Sequence, residues 1–370
     1  MKRRRIDKRS GRMLFIGAIL LAIGLISAEG IAGQERENVV VLKEVVNPSS
    51  ITVSSDRISI VEGRSGEIFM YSLNGGRFLG KFGRTGQGPG EFDRAPHLIP
   101  QPGEWIAISF GKVIYFSETG EFRREVKILP ADLMFSGYPI FPLAGRYVGF
   151  PFIRDEDGKM LSCVGRIYEE DWKPVVDFTP PFPSPTPPPP PPPGSNIKPP
   201  KEDFLLIKDY SSGIVAGNRI YFADSRKGFS ISVFDTQGRP VREIRLEEKP
   251  VPIERKYRQD LIADWRENMK KYLDIYNPVV PEVFPALFAF RVDGAEIHAL
   301  TPRRKNGLYE IITLNLEGKI LRRSFAFPLE PTWDYLVEVN NQFDIRNGIL
   351  YTISYNEEKE RVELRIATIK

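Results

Sequence analysis

One feature constrains this chain more than any other: short strand-like runs recur in groups of three, with a tight turn before the last of each group. ISIVEG (58–63) and EIFMYSL (67–73) lead through Asn74-Gly75-Gly76 to RFLGKFG (77–83). WIAISF (105–110) and KVIYFS (112–117) lead through Glu118-Thr119-Gly120-Glu121 to FRREVKI (122–128). The third unit is RYVGFPFI (146–153), MLSCVGRIY (160–168), Glu169-Glu170-Asp171 and KPVVDF (173–178). A fourth reads NRIYFAD (218–224), FSISVFD (229–235), Thr236-Gln237-Gly238, PVREIRL (240–246). The fifth reads AEIHALT (295–301), LYEIITLN (308–315), Leu316-Glu317-Gly318, KILRRSFAF (319–327). ILYTISY (349–355) and RVELRIATI (361–369) leave a sixth incomplete.

The turn positions 75, 120, 171, 238 and 318 are 45, 51, 67 and 80 residues apart. Each long interval holds an insertion. The 21-residue proline tract 180–200 accounts for the first, and a helix-like segment accounts for the second. A period of roughly 40–50 residues with several strands per unit is the pattern of a β-propeller with one four-stranded blade per unit. ITVSS (51–55) and FAFRV (288–292) are suited to inner strands. The chain is therefore expected to be all-β, a six-bladed β-propeller spanning 34–370. The unassigned strand NVVVLKEV (38–45) is expected to complete the last blade, which removes an exposed sheet edge.

Two insertions interrupt the repeat. Thirteen of the 21 residues in 180–200 are proline, so the tract cannot join a ladder and should be polyproline II. It reads as a stiff solvated loop, or as a ligand for an aromatic-groove domain. In 254–277, Tyr257, Leu261, Trp265, Met269, Tyr272 or Leu273, and Tyr276 recur at three- and four-residue steps, which predicts an amphipathic helix stopped by Asn277-Pro278. Its role is to cover an apolar patch or to act as a lid beside the channel mouth.

Seven basic residues (Lys2, Arg3, Arg4, Arg5, Lys8, Arg9, Arg12) precede the uncharged run Met13–Ala28 and a set of small residues. This is the layout of a secretory signal, residues 1–33. The rival reading is an uncleaved N-terminal anchor, although the 16-residue run is shorter than the roughly 20 residues that span a bilayer. The protein is expected to be periplasmic or secreted, or else membrane-anchored and facing outside the cytoplasm. Export also resolves the charge. The chain carries 52 Lys+Arg and 48 Asp+Glu, and removal of 1–33 leaves 45 and 46. A near-neutral mature chain gives no footing for a nucleic-acid partner.

Chemistry-bearing residues are few. One cysteine, Cys163, excludes an intramolecular disulfide, and it lies in an apolar strand as a small core residue. Two histidines, His97 and His298, cannot supply a three-His metal centre. There is no G-x-S-x-G elbow. Calcium remains possible through Asp155, Glu156 and Asp157, or Glu202 and Asp203, though D-x-D-G alone lacks the other loop ligands.

After the first unit comes Gly83-Arg84-Thr85-Gly86-Gln87-Gly88-Pro89-Gly90-Glu91-Phe92. It has no Lys-Ser/Thr pair and no helix pattern behind it, so it is no phosphate cradle. Glycines there let the chain turn from an outer strand back to the axis. The segment KFGRTGQGPGEF resembles the Gly-rich inter-blade connector of NHL-repeat propellers. It is more closely similar to the bacterial secreted proteins known as 6-bladed β-propellers, as are VFDTQGRPVREIRL and YFSETGEFRREVKI. The resemblance covers roughly 38–370, with the third unit a poor match for want of a turn glycine. It implies a funnel-like disc whose ligands bind at the loop-bearing face or in the channel, and it implies no single reaction.

The expected ligand-binding residues are Arg84, Arg94 and His97 after the first blade, Arg154 in the third, and Arg226 and Lys227 in the fourth. Arginine forks suit carboxylates and sugar acids. No catalytic residue and no cofactor is assigned. The function expected is an exported, monomeric binding or scaffolding module for a protein or glycan. The alternative is a calcium-dependent hydrolase or lyase with its site in the axial channel. A membrane-tethered assembly factor is a third possibility if the leader is retained.

Overall fold

Alternation along the strands sets which faces are buried, and the sheets follow from it. The computed structural model describes residues 38–128, 130, 133, 139–154, 160–183, 201–328, 341–356 and 358–369. The leader 1–33, most of the proline tract and the acidic loop 155–157 lie outside them. The described residues belong to one compact unit, Arg36–Lys370.

Six four-stranded antiparallel sheets account for most of it. The first holds Pro48–Val53, Arg57–Glu62, Ile68–Ser72 and Phe78–Phe82, and the second His97–Gln101, Glu104–Ser109, Lys112–Ser117 and Phe122–Lys127. The third joins Phe141–Leu143, Arg146–Gly149, Arg166–Tyr168 and Pro174–Asp177. The fourth runs Ser211–Ala216, Arg219–Asp224, Phe229–Phe234, Pro240–Leu246, and the fifth Ala289–Asp293, Glu296–Lys305, Leu308–Asn315, Ile320–Phe327. In the sixth, Phe343–Arg346, Ile349–Asn356 and Arg361–Thr368 are joined by Asn38–Val41 from the start of the chain. That strand lies antiparallel to the last one, with Asn38 opposite Ile366 and Val41 opposite Glu363. The architecture is a six-bladed β-propeller.

Burial follows position in the blade. Second and third strands are buried on both faces, as in Arg57–Glu62 and Lys112–Ser117, whereas the outer strand Phe122–Lys127 is mostly exposed. The core is divided into wedges between neighbouring blades. Ile51, Ile58, Ile60, Tyr351, Ile353 and Leu364 fill the wedge between blades six and one. Val61, Ile68, Leu98, Trp105 and Ile114 fill the next, and comparable clusters occupy the other four. Each such side chain contributes roughly 1.5–3 kcal/mol on burial, so closure is driven by the same packing as every other joint.

The turns between third and fourth strands make these joints close-fitting. Gly120 has φ +88°, and a Cβ there would stand 2.5 Å from Phe82 of the preceding blade. Gly238 and Gly318 approach Val176 and Ile244 in the same way. Blade three has no glycine in its turn. Trp172 takes the left-handed conformation instead, with φ +67°, and its ring stacks on Tyr147 at 4.5 Å.

The loops follow a topological rule. Connectors from an outer strand to the next inner strand all emerge on one face, and these are the long ones. The opposite face carries short turns. Two long connectors meet where Glu202–Leu205 pairs in parallel with Tyr276–Val279. The helix is shorter than the apolar spacing predicts: it spans Arg255–Asn268, a 3-10 turn covers Lys270–Tyr272, and Tyr276 and Asn277 are in the strand. Pairing with Glu202–Leu205 holds 276–279 extended where the spacing alone would continue the helix. Leu261 and Trp265 are buried against Leu206, Ile207, Ile253 and Val280, a seventh cluster apart from the six wedges. Glu248, at the foot of this insertion, is tied to blade five by Arg303 and Arg323, and Arg323 also reaches Glu310 at 2.9 Å.

Blade three departs from the pattern as well. Its central hairpin breaks at Phe150-Pro151, and Phe152–Arg154 and Met160–Cys163 continue as a small sheet with Phe182–Pro183. Cys163 is fully buried there among Phe150, Phe152 and Phe182.

Candidate ligand site

Six inner strands surround the axis, and their sequences differ from those behind them. Pro48–Val53 carries Ser49, Ser50 and Thr52, and Ser211–Ala216 begins Ser-Ser-Gly; both are largely half-buried where second strands are buried throughout. One side of each inner strand faces an axial cavity of about 1660 Å³. Residues of the inner strands line it together with Asp203–Leu206, Lys208–Tyr210, Met269 and Tyr276 from the joined insertions. The insertion thus does two things: its apolar stripe is buried, and its C-terminal end reaches the cavity rim.

Polar contacts knit the inner strands into a ring. Thr52 Oγ1 donates to the Leu98 carbonyl at 3.3 Å, joining blades one and two. Asp344 in blade six accepts the Val53 amide at 2.7 Å and its neighbour's, Ile345, at 2.8 Å. Arg291 in blade five donates to the Phe343 carbonyl at 2.9 Å, lies over the Phe343 ring and approaches Asp344 at 3.5 Å. Both side chains are 18% exposed, and both line the cavity. Burial pushes the Asp344 carboxyl above its usual range, against the pull of Arg291 and the two amides. His97, edge-on to Phe141, is held at about 4 by burial and by the Arg291 charge. Its imidazole is neutral at physiological pH.

The sequence candidates divide on this geometry. Arg94 and His97 line the cavity, and the Arg94 guanidinium lies 4.7 Å from the centre of the Phe110 ring. Arg226 also lines it, gripped by Asp224 through Nε at 2.8 Å and Nη2 at 2.7 Å. Lys227 is exposed beside it and does not line the cavity. Arg84 is not at the cavity either: it pairs with Glu91 at 2.6 Å and braces its own connector. There Glu91 also accepts the Gly88 amide at 2.8 Å, while Phe92 is fully buried and anchors the loop. Arg154 ends the strand Phe152–Arg154, and its side chain lies outside the described residues.

Sequence reasoning does not single out Arg291 and Asp344. Each sits in an ordinary alternating strand, and the only sequence signal is a charge placed on an inner strand of the repeat. His298 is buried in blade five with Nδ1 3.1 Å from Thr313 Oγ1, away from the cavity. Of the calcium candidates, Asp155, Glu156, Asp157 and the Glu202 side chain lie outside the described residues, and Asp203 accepts from Asn277 at 2.8 Å. Among the described residues no three His, Cys, Asp or Glu side chains converge as a metal site. Nor is any helix among them long and apolar enough to cross a membrane.

A family model described as 6-bladed beta-propeller matches residues 43–146, which contain the first two blades and the inner strand of the third. That description agrees with the six sheets seen here. Among solved structures, the chain is similar to a Bacteroides fragilis protein described as a candidate exported protein, at 11% identity and a TM-score of 0.47, covering 90% of this chain and 95% of that one. It is also similar to the Myceliophteria thermophila Cps50 (Swd1) β-propeller domain, at 10% identity and a TM-score of 0.40, with 90% and 100% covered. A third is the Neurospora crassa Pan2 WD40 domain, at 8% identity and a TM-score of 0.41, with 88% and 90% covered. A comparison with curated proteins found no match.

Proposed function

We propose that this chain is an exported binding module of the NHL-like type, whose protein or glycan ligand enters the axial cavity from the face that carries the insertions. The observation that supports this most is the shared lining of the cavity. Inner strands from the blades and Met269 and Tyr276 from the insertion contribute to one concave surface, as binding sites require. The basic, apolar and small-residue segments of the first 33 positions support export.

Filling the cavity tests the site. Ser212, half-buried on the inner strand of blade four, lines it, and Ser212→Trp would occupy the space. Ligands captured on glycan arrays or from culture medium should lose binding to this variant while its melting temperature stays within a few degrees of the parent's. Undiminished binding by a folded Ser212→Trp protein would place the ligand elsewhere. Fractionation with N-terminal sequencing tests export: a mature start near residue 34 is expected, and an intact leader on a membrane-bound form would support the tethered alternative.

A further inference from the structure

The cavity wall has a chemical bias that narrows the ligand class. Among the described residues, six Arg or Lys side chains line it against three Asp and no Glu. Several of the cations are already engaged: Arg226 by Asp224, Arg346 by Asp293 at 3.2 Å, and Arg291 by backbone carbonyls and Asp344. Arg94 and Arg219 have no carboxylate partner among the described residues; Arg219 is exposed beside a turn, whereas Arg94 rests on Phe110 in the cavity wall. Three positions along the chain, His97 makes an edge contact with Phe141, and its ring nitrogens have no hydrogen-bond partner among the described residues. A neutral imidazole has one N–H to donate, and a guanidinium offers a planar fork. Both line one cavity, and each supplies the kind of donor a carboxylate accepts from.

The rest of the wall bears on what carries that carboxylate. The hydroxyls of Ser211 and Ser212, both half-buried, border the cavity without a hydrogen-bond partner among the described residues. Apolar surface from Ile99, Ile108 and Ile214 lies between the polar groups. A pyranose presents hydroxyls at its rim and C–H groups on its faces, so a wall mixed in this way suits it better than an acidic peptide, which brings few hydroxyls.

We propose that the axial cavity binds a sugar acid, with its carboxylate held by Arg94 and His97 and its hydroxyls met by Ser211 and Ser212 on the inner strand of blade four. This rests on the axial cavity being the ligand site. No reaction is implied.

The test is calorimetric titration of the purified exported protein with tetrasaccharides of galacturonate, glucuronate, mannuronate and guluronate. The methyl ester of each and an aspartate-rich peptide are run beside them. At least one uronate should bind, and its ester should bind at least about tenfold more weakly, as expected for loss of a charge-assisted contact. Arg94→Ala should weaken the uronate by a similar factor and the ester by less than about twofold, with Arg94→Lys intermediate because the charge stays and the fork is lost. Arg84→Ala should change neither. Melting curves show whether each variant is folded. An ester that binds as well as its acid, a folded Arg94→Ala protein that binds uronate normally, or no binding by any uronate would overturn the proposal. The Ser212→Trp protein separates the two levels. If it blocks binding of an ester or the peptide, the cavity remains the site and only the sugar-acid assignment falls. If it leaves uronate binding intact, the cavity is not the site.

Discussion

Gly76, in the hairpin turn of the first blade, lies directly against Val40, in the strand that begins the described chain. A Cβ on Gly76 would stand 2.8 Å from Val40 Cγ2 and 3.0 Å from Cγ1, and its φ is +63°. The same turn-to-strand contact joins Gly120 to Phe82 and Gly318 to Ile244. The joint that closes the ring is therefore built like the joints between blades that are consecutive in the chain.

Gly76→Ala should then destabilise the protein by about 1–3 kcal/mol, from left-handed strain and the contact with Val40 combined. Val40→Ala in that background should recover part of the loss, because it removes the atoms in the way but not the strain. Denaturant melts of the two single variants and the double variant measure the coupling. Simple additivity would show that the two residues do not meet.

Deleting residues 34–47 removes the fourth strand of blade six and, with Leu42 and Val45, part of the wedge against blade one. The whole propeller should lose stability in one cooperative transition, since both blades lose packing. A truncated protein that melts like the full chain would mean that the strand contributes nothing to closure.

Trp172 offers the converse case to Gly76. Glycine there would relieve a left-handed φ at a cost of about 1 kcal/mol to the present side chain, but would empty a buried site that stacks on Tyr147. Cavity formation of this kind costs about 3–5 kcal/mol, so Trp172→Gly should be net destabilising, and Trp172→Ala more so. A Trp172→Gly protein as stable as the parent would indicate that the stacked ring contributes little.

These contacts also show what the sequence makes legible. Strand alternation and the 40–50-residue period reveal the blades, and the spare run 38–45 points to how the last one is completed, although only Asn38–Val41 of it pairs as a strand; each depends on local pattern and counting. The helix end is misjudged since Tyr276 is extended by a partner strand some 70 residues away. Arg291 and Asp344 are invisible for the same reason: their meaning comes from the blades on either side of them. The Gly-rich connector marks the point where the chain returns to the axis, and Arg94 and His97, just past it, line the cavity. Arg84, in that same connector, lies away from the cavity, and nothing in the sequence announces that Glu91 turns back to hold it.

Acid should affect the cavity and the stability together. Burial and the nearby Arg291 hold His97 at about 4, below the ordinary histidine value of 6.5. Between those values the unfolded chain takes up a proton that the folded chain does not, so stability falls as pH drops from 6.5 to 4 and is unaffected above 6.5. The upper limit is about 3 kcal/mol at 1.36 kcal/mol per unit, less for a ring that meets cavity water. Asp344, shifted upward by burial, acts in the opposite sense above the ordinary aspartate value and offsets part of this. His97→Gln should flatten the stability profile between pH 4.5 and 6.5. An unchanged profile would assign the acid sensitivity to other groups.

The two histidines provide a direct measurement of where the ligand sits, because His97 lines the axial cavity and His298 is buried in blade five. Imidazole resonances of the labelled protein should be followed while a uronate tetrasaccharide that binds by calorimetry is added. The prediction is that the His97 signals move to saturation with the calorimetric affinity while those of His298 stay in place. Saturated binding with His97 unmoved would contradict an axial ligand site.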